Sequence, residues 1–133
     1  MVLVDTTVWI DLLRQRDTAA VARLRQLLAH GLAAVAPVIV QEIVQGASSP
    51  ESLQTLRDHF MALPMLVPRQ DAATHADAGA LYARCRWQGV TPRSPHDCLI
   101  AQLAIENQLA LLHDDRDFEA IGRVEPALSL MRE

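Results

Sequence analysis

Short apolar runs alternate with amphipathic segments along the chain, and this order predicts strands that alternate with helices. The apolar runs are bounded by Gly, Pro or polar residues, which is typical of buried strands. Four runs fit this description, residues 2–5, 32–36, 65–67 and 110–113, and residues 127–130 are compatible with a fifth. Strands in alternation with helices form a parallel sheet that carries helices on both faces. The pattern therefore predicts an α/β fold.

The segments between the runs have the spacing of amphipathic helices. Residues 18–30 are the clearest case, because Val21, Leu24 and Leu28 share one face and Gly31 follows as a helix stop. The other predicted helices comprise residues 6–14, 37–46, 50–63, 71–88, 95–107 and 117–121. No repeat, linker or low-complexity stretch interrupts this order, so we expect residues 1–133 to form a single domain.

Acidic residues follow the predicted strands. Asp5 ends the first apolar run, and Asp115 and Asp117 come just after the fourth. Right-handed crossovers bring the carboxyl ends of parallel strands to one edge, which is where open sheets bind ligands. Helices that follow strands begin at the same edge, so Asp97 and, one turn further into its helix, Glu42 also approach it. The sequence therefore predicts a cluster of carboxylates at this edge.

Taken singly, each of these acids has a purely structural explanation. Asp5 is a good helix N-cap. Ser94 and Asp97 match a capping box, with Ser94 as the cap and Asp97 at the third helical position. Most helical Glu residues are exposed, so Glu42 alone fits a solvated flank. Only the convergence of these residues at one edge favours a functional site.

The acidic segment after the fourth run is the hardest to explain without a bound cation. Asp114, Asp115 and Asp117 repel one another unless a positive charge neutralises them. Alternation along the strand end places Asp115 and Asp117 on the same side. Oxygen ligands suit Mg²⁺ or Mn²⁺, whereas no Cys or His spacing supports zinc. A metal held here would activate a water for hydrolysis of a phosphate ester.

Composition excludes several other kinds of protein. All 12 basic residues are Arg, so the chain lacks the Lys that a phospho-receiver domain needs near its last strand. A haloacid-dehalogenase-type phosphatase needs Asp-x-Asp, but here Asp5 is followed by Thr6 and Thr7. The net charge of −4 argues against a protein that coats nucleic acid. Arginine forks remain available for phosphate, and Arg14 and Arg93 are candidate contacts.

The chain shows no sign of a membrane or secretory location. No basic residue precedes the first apolar stretch, and Asp5 interrupts that stretch early, so it does not resemble a signal peptide. No apolar run approaches the ~18 residues of a spanning helix. Cys85 and Cys98 lack a CxxC pairing and suit reduced thiols. We therefore expect a cytoplasmic protein with no membrane partner.

Four segments resemble, in chain order, the motifs of PIN-domain ribonucleases, specifically the VapC-type toxins of bacterial toxin–antitoxin pairs. They are Val2–Asp11, Pro37–Gly46, Ser94–Ala104 and Leu111–Phe118. Each motif alone is weak, but the ordered set covers essentially the whole chain. The resemblance implies a PIN-like three-layer fold with a five-stranded parallel sheet flanked by helices. It also implies endonucleolytic cleavage of RNA with Mg²⁺ or Mn²⁺.

The same resemblance implies which residues act. Asp5, Glu42, Asp97 and Asp115 correspond to the family's acidic quartet, which binds metal and carries catalysis. The supporting residues are Asp117, Thr6, Thr7 and the helix cap Ser94, where Thr6 or Thr7 would position Asp5 or the water through a hydroxyl. Asp114 is an extra acid where relatives often have a neutral or basic residue. Similar toxins are homodimers that an antitoxin neutralises by wrapping a groove. The alternative is a catalytically inactive PIN-like protein-binding module.

Overall fold

A parallel sheet lies at the centre of residues 1–131, the part of the chain that the computed structural model describes. Its strands are β1 (Val2–Val4), β2 (Ala33–Ala34), β3 (Ala110–Leu112) and β4 (Leu130–Met131). Their spatial order is β2-β1-β3-β4, and every pairing is parallel. The first strand is therefore central, and its carboxyl end lies beside that of β3.

The helices occur where the sequence pattern predicts them. They are α1 (Thr6–Leu13), α2 (Ala19–Ala29), α3 (Pro37–Val44), α4 (Pro50–Met61), α5 (Asp71–Trp87), α6 (Pro95–Glu106) and α7 (Arg116–Val124). The largest difference is at α7, which continues past the predicted end at residue 121 to Val124, a partly buried residue that packs against the core. Within residues 1–131, none of these helices combines the length and apolar character needed to cross a membrane.

The sheet has four strands in the described residues, so the expected number of five is wrong in detail. The predicted third strand, Met65–Val67, forms only an isolated parallel bridge from its first residue to Val35. Val35 donates to the Pro64 carbonyl at 2.9 Å, and Leu66 donates to the Val35 carbonyl at 2.8 Å. Pro64 and Pro68 have no backbone N–H, so the ladder cannot extend in either direction.

The last strand also begins later than predicted. Leu128 donates to the Glu125 carbonyl at 3.1 Å, so the chain is still turning at that point. The Ser129 carbonyl then accepts from Leu111 at 2.9 Å, which starts the pairing of β4 with β3. The predicted strand at residues 127–130 is thereby replaced by Leu130–Met131.

Packing around β1 holds the first helix directly against the end of the strand. Trp9 is 2 % exposed, and its indole N–H donates to the Val4 carbonyl at 3.0 Å. The Trp9 ring meets Phe60 edge-on at 5.1 Å, which joins α1 to α4. The Asp5 backbone N–H donates to the Leu112 carbonyl at 2.9 Å. Asp5 is thus fixed between the carboxyl ends of β1 and β3.

Candidate active site

Asp5 lies at the junction of β1 and α1 and is only 3 % exposed. Its carboxylate caps α1 by accepting from the Thr7 backbone N–H at 3.3 Å. Burial is the main reason that the pKa of Asp5 is raised to about 6. The negative charges of Glu42 and Asp115 also raise this pKa, whereas backbone hydrogen bonds to the carboxylate lower it in part. The structural and the functional explanations of Asp5 therefore coincide in one side chain.

Glu42 is held toward this junction by a long-range hydrogen bond. The Thr6 hydroxyl donates to Glu42 Oε1 at 2.8 Å, and His96 Nδ1 lies 3.7 Å from Oε2. The Glu42 side chain is 24 % exposed, so it is not a freely solvated flank residue. The Thr6 hydroxyl binds Glu42 rather than Asp5, whereas the exposed Thr7 contacts Asp5 through its backbone and not through its hydroxyl.

Asp97 lies in the first turn of α6, half-buried beside the other acids. Ser94 caps this helix, but its hydroxyl oxygen accepts from the His96 backbone N–H at 3.2 Å. Among residues 1–131 no hydrogen bond joins the Asp97 carboxylate to the Ser94 backbone, so the predicted capping box is incomplete, in keeping with the short side chain of Asp. Burial, followed by the charges of the neighbouring acids, raises the pKa of Asp97 to about 7.

Asp115 and Asp117 lie at the start of α7 and share an arginine. Asp115 is the N-cap, since its Oδ1 accepts from the Asp117 backbone N–H at 2.9 Å. Arg93 Nη2 lies 3.0 Å from Asp115 Oδ1, and Arg93 Nε lies 3.0 Å from Asp117 Oδ2. Burial alone would raise the pKa of Asp117, but its hydrogen bonds with Arg93 outweigh that effect and lower it.

Three of the acids form a compact set of potential metal ligands. Asp97, Asp115 and Asp117 each offer a carboxylate oxygen, and these oxygens lie within 4.8 Å of one another. Asp5 and Glu42 are outside this set in the described residues but adjoin it, because their charges contribute to the raised pKa of Asp97. An all-oxygen donor set fits Mg²⁺ or Mn²⁺.

The extra acid and the two candidate phosphate-binding arginines occupy different positions. Asp114 is exposed and is not part of the set that Asp115 and Asp117 form with Asp97. Arg14 is also exposed and lines a groove between α1, α3 and α4, next to Glu42. Arg93 lies at the carboxylates themselves. Of the two arginines, only Arg93 pairs directly with acids of the site.

Two partners of the acids were not predicted from the sequence. Arg93 is 22 and 24 positions away from the acids that it binds, so no local motif announces the pairing. His113 is 8 % exposed, and its Nδ1 accepts from the Asp115 backbone N–H at 3.1 Å. The only available signals were the position of Arg93 just before the Ser94 cap and that of His113 at a strand end.

Comparison with known proteins shows which family the chain is similar to. The PIN domain family model matches residues 2–124. VapC ribonuclease Mb1587 of Mycobacterium bovis and Ribonuclease VapC11 of Mycobacterium tuberculosis are each 36 % identical to the chain over 126 residues, which is 93 % of this chain and 93 % of each relative. The residues matched by the family model include β1 to β3 and all the acids of the site, whereas β4 lies beyond them.

Solved structures share the fold. VapBC2 from Rickettsia felis, bound to a DNA fragment from its promoter, aligns with a TM-score of 0.73 at 20 % identity and covers 98 % of both chains. A toxin–antitoxin complex from Klebsiella pneumoniae aligns with a TM-score of 0.68 at 21 % identity, over 96 % of this chain and 95 % of the other. The chain therefore belongs to the PIN-domain family and, within it, to the VapC ribonucleases.

Proposed function

We propose that the protein is the toxin of a toxin–antitoxin pair and acts as an endoribonuclease that uses Mg²⁺ or Mn²⁺. The observation that carries this proposal is the meeting of Asp97, Asp115 and Asp117 within 4.8 Å, with Asp5 and Glu42 beside them. Such a concentration of negative charge is unfavourable unless a cation occupies it. The 36 % identity to VapC ribonucleases supports the same activity.

In this proposal Asp5, Glu42, Asp97 and Asp115 form the catalytic and metal-binding quartet, and Asp117 supports it. A bound divalent ion supplies Lewis acidity, which activates a water and stabilises the leaving oxygen. Thr6 orients the Glu42 carboxylate, and Ser94 fixes the first turn of α6 that carries Asp97. The half-buried position of Asp97 reduces the screening of its charge by water, which strengthens its attraction to a cation.

The substrate in this proposal is RNA. Arg93 lies beside the carboxylates and is 71 % exposed, so its guanidinium can reach a phosphate next to the metal. Arg14 lines the neighbouring groove, where it could contact a second phosphate of the RNA backbone. A phosphate contact carries no sequence information, so in these roles both arginines would strengthen binding without selecting a sequence.

The partners in this proposal are a cognate antitoxin and a second copy of the chain. The groove between α1, α3 and α4 carries apolar side chains, including Leu13 and Leu56, and lies next to Glu42. A segment of antitoxin seated there would also lie against Glu42 of the quartet. Solved neighbours of this fold include toxin–antitoxin complexes. Cys85 and Cys98 are both free, which is compatible with the proposed cytoplasmic location.

A cleavage assay tests the enzymatic part. Wild-type protein should cleave structured RNA with Mg²⁺ or Mn²⁺ and lose this activity with EDTA. Asp5→Asn and Asp97→Asn should abolish cleavage, while Asp114→Asn, a neutralised acid of the same segment, should retain it. Cleavage that survives EDTA and both quartet variants would refute the assignment. The alternative of an inactive binding module predicts no metal-dependent cleavage by any of the four proteins.

Expression in bacteria tests the role as a toxin. Wild-type protein should arrest growth when it is expressed alone and be tolerated when the antitoxin is expressed with it, and Asp97→Asn should be harmless in both cases. Harmless expression of a wild-type protein that is active in vitro would contradict the toxin role and leave the ribonuclease activity standing. Mapping RNA ends after brief induction would identify the substrate.

A further inference from the structure

Arg93 binds two of the three carboxylates that are grouped as metal ligands. Its Nη2 contacts Asp115 Oδ1, and its Nε contacts Asp117 Oδ2, each at 3.0 Å. Its backbone N–H also donates to Asp117 Oδ2 at 3.2 Å. Within residues 1–131, no other arginine forms an ion pair with an acid of the site.

A divalent cation and the Arg93 guanidinium make opposing demands on these acids. An oxygen that accepts a guanidinium hydrogen bond has part of its charge already neutralised, and two cations on adjacent oxygens repel each other. The Arg93 side chain is 71 % exposed, so little packing holds it in place. The backbone bond from Arg93 to Asp117 does not depend on the guanidinium, so Asp117 stays anchored when the side chain leaves.

We propose that the Arg93 guanidinium is a displaceable counter-ion of Asp115 and Asp117, which competes with the divalent metal and, once displaced, contacts an RNA phosphate. This inference rests on the proposed metal site and adds to it a residue that sets metal affinity. Without the metal, Arg93 offsets the repulsion between Asp115 and Asp117. With the metal, the same side chain is released next to the ion, where a phosphate binds.

The opposite role is physically possible and makes the opposite prediction. A guanidinium that bridges two carboxylates also holds them together, so Arg93 could preorganise the ligands for the metal. Its removal would then weaken metal binding, whereas removal of a competitor tightens it. The sign of the change in metal affinity therefore separates competition from preorganisation.

Calorimetric titration of the purified protein with Mn²⁺, without RNA, measures this sign. Arg93→Gln should bind Mn²⁺ about three- to tenfold more tightly than wild type, since exposed ion pairs are weak competitors. Arg93→Lys keeps the charge but cannot bridge both carboxylates, so its affinity should fall in between. Thermal unfolding of each variant checks that it is folded.

Arg116→Gln is the matched control. Arg116 lowers the pKa of Asp117 through space, yet it forms no ion pair among residues 1–131. Arg116→Gln removes one positive charge from the same region but breaks no ion pair with Asp115 or Asp117. Its effect on Mn²⁺ affinity should therefore be smaller than that of Arg93→Gln. The proposed competition between Arg93 and the metal would be overturned by an equal rise in Mn²⁺ affinity in Arg93→Gln and Arg116→Gln. It would also be overturned if Arg93→Gln did not bind Mn²⁺ more tightly than wild type.

The second half of the proposal is tested by cleavage kinetics at saturating Mn²⁺. Arg93→Gln should raise KM for RNA several-fold and change kcat less, because the released guanidinium binds substrate. An unchanged KM would overturn the phosphate contact. Failure of the wild type itself to bind Mn²⁺ would overturn the proposed metal site together with this inference, whereas normal wild-type binding with an unaltered Arg93→Gln affinity would overturn the inference alone.

Discussion

The acidic cluster has an inner side, Asp5 and Asp97, and an outer side, Asp115 and Asp117, and the two sides differ in what surrounds their negative charges. On the inner side, Asp5 is buried and Asp97 is half-buried, and burial raises the pKa of Asp5 to about 6 and that of Asp97 to about 7. Asp117, on the outer side, has a lowered pKa because Arg93 binds it. Carboxylates that meet at one sheet edge thus have opposite electrostatic surroundings.

This difference indicates how metal binding would be divided between the two sides. Asp5 and Asp97, the inner acids, would gain most from a bound cation, because it would relieve a charge that burial and mutual repulsion disfavour. Asp115 and Asp117, the outer acids, are already compensated by Arg93, so a metal would gain less from them and would have to displace a hydrogen-bonded partner. The inner side would therefore provide the driving force for binding, and the outer side would control exchange.

The largest expected effect tests whether the outer side is essential despite its arginine. Asp115→Asn should lower the cleavage rate about a hundredfold, because it removes a proposed metal ligand whose charge also acts on Asp5 and Asp97. Asp117→Asn should lower the cleavage rate about tenfold. Asp114→Asn should leave the rate within about twofold of that of wild type, because Asp114 is exposed and lies outside the set of potential metal ligands. Initial rates at saturating Mn²⁺ measure this order. A larger loss from Asp114→Asn than from Asp115→Asn would show that the outer ligand is misassigned.

The next effect concerns stability on the inner side. The folded-state pKa of Asp5 is raised from 3.8 to about 6, so the folded protein binds its proton more tightly than the unfolded chain does. Stability from this group is present below pH 4 and is lost as pH rises through about 6. In EDTA, Asp5→Asn should remove this loss and be about 2–3 kcal/mol more stable than wild type at pH 8. Denaturant unfolding at pH 5 and pH 8 measures the difference.

The control for this pH series is Asp77→Asn, which neutralises an exposed acid of α5. It should leave the pH dependence of wild type unchanged. The contribution of Asp117 to the pH dependence of stability has the opposite sign to that of Asp5. Its pKa is lowered in the folded protein, so it adds stability that is lost only as pH falls below about 4. A wild-type protein that gains stability between pH 5 and pH 8 in EDTA would contradict the description of the inner side.

The smallest effect tests the hydrogen bond that brings Glu42 to the inner side. Thr6→Val keeps the shape of the side chain and removes the donor to Glu42 Oε1, so it should cost about 1 kcal/mol of stability and reduce cleavage several-fold. Thr7→Val is the neighbouring control, because only the Thr7 backbone N–H contacts Asp5 and that group is retained. Equal losses from both variants would show that the Thr6 hydroxyl has no special role.

Much of the fold was predictable because it depends on local chemistry. Apolar periodicity predicted the helices, with α7 underestimated, and helix caps such as Asp5 and Ser94 follow from residue preferences at strand–helix junctions. The error at Met65–Val67 arose because a single bridge and a short strand have the same apolar pattern. Only the position of the partner strand and the two flanking prolines decide between them.

The sequence by itself determined the order of strands and helices and the placement of Asp5, Asp97 and Asp115 at the ends of those elements. That much follows because caps and strand ends are set by residues that are close together in the chain. Tertiary structure alone decided that Thr6 binds Glu42, 36 positions away, and that Arg93 binds Asp115 and Asp117. Pairings of this kind depend on how α3, α6 and α7 pack around the sheet, and no local pattern encodes that packing.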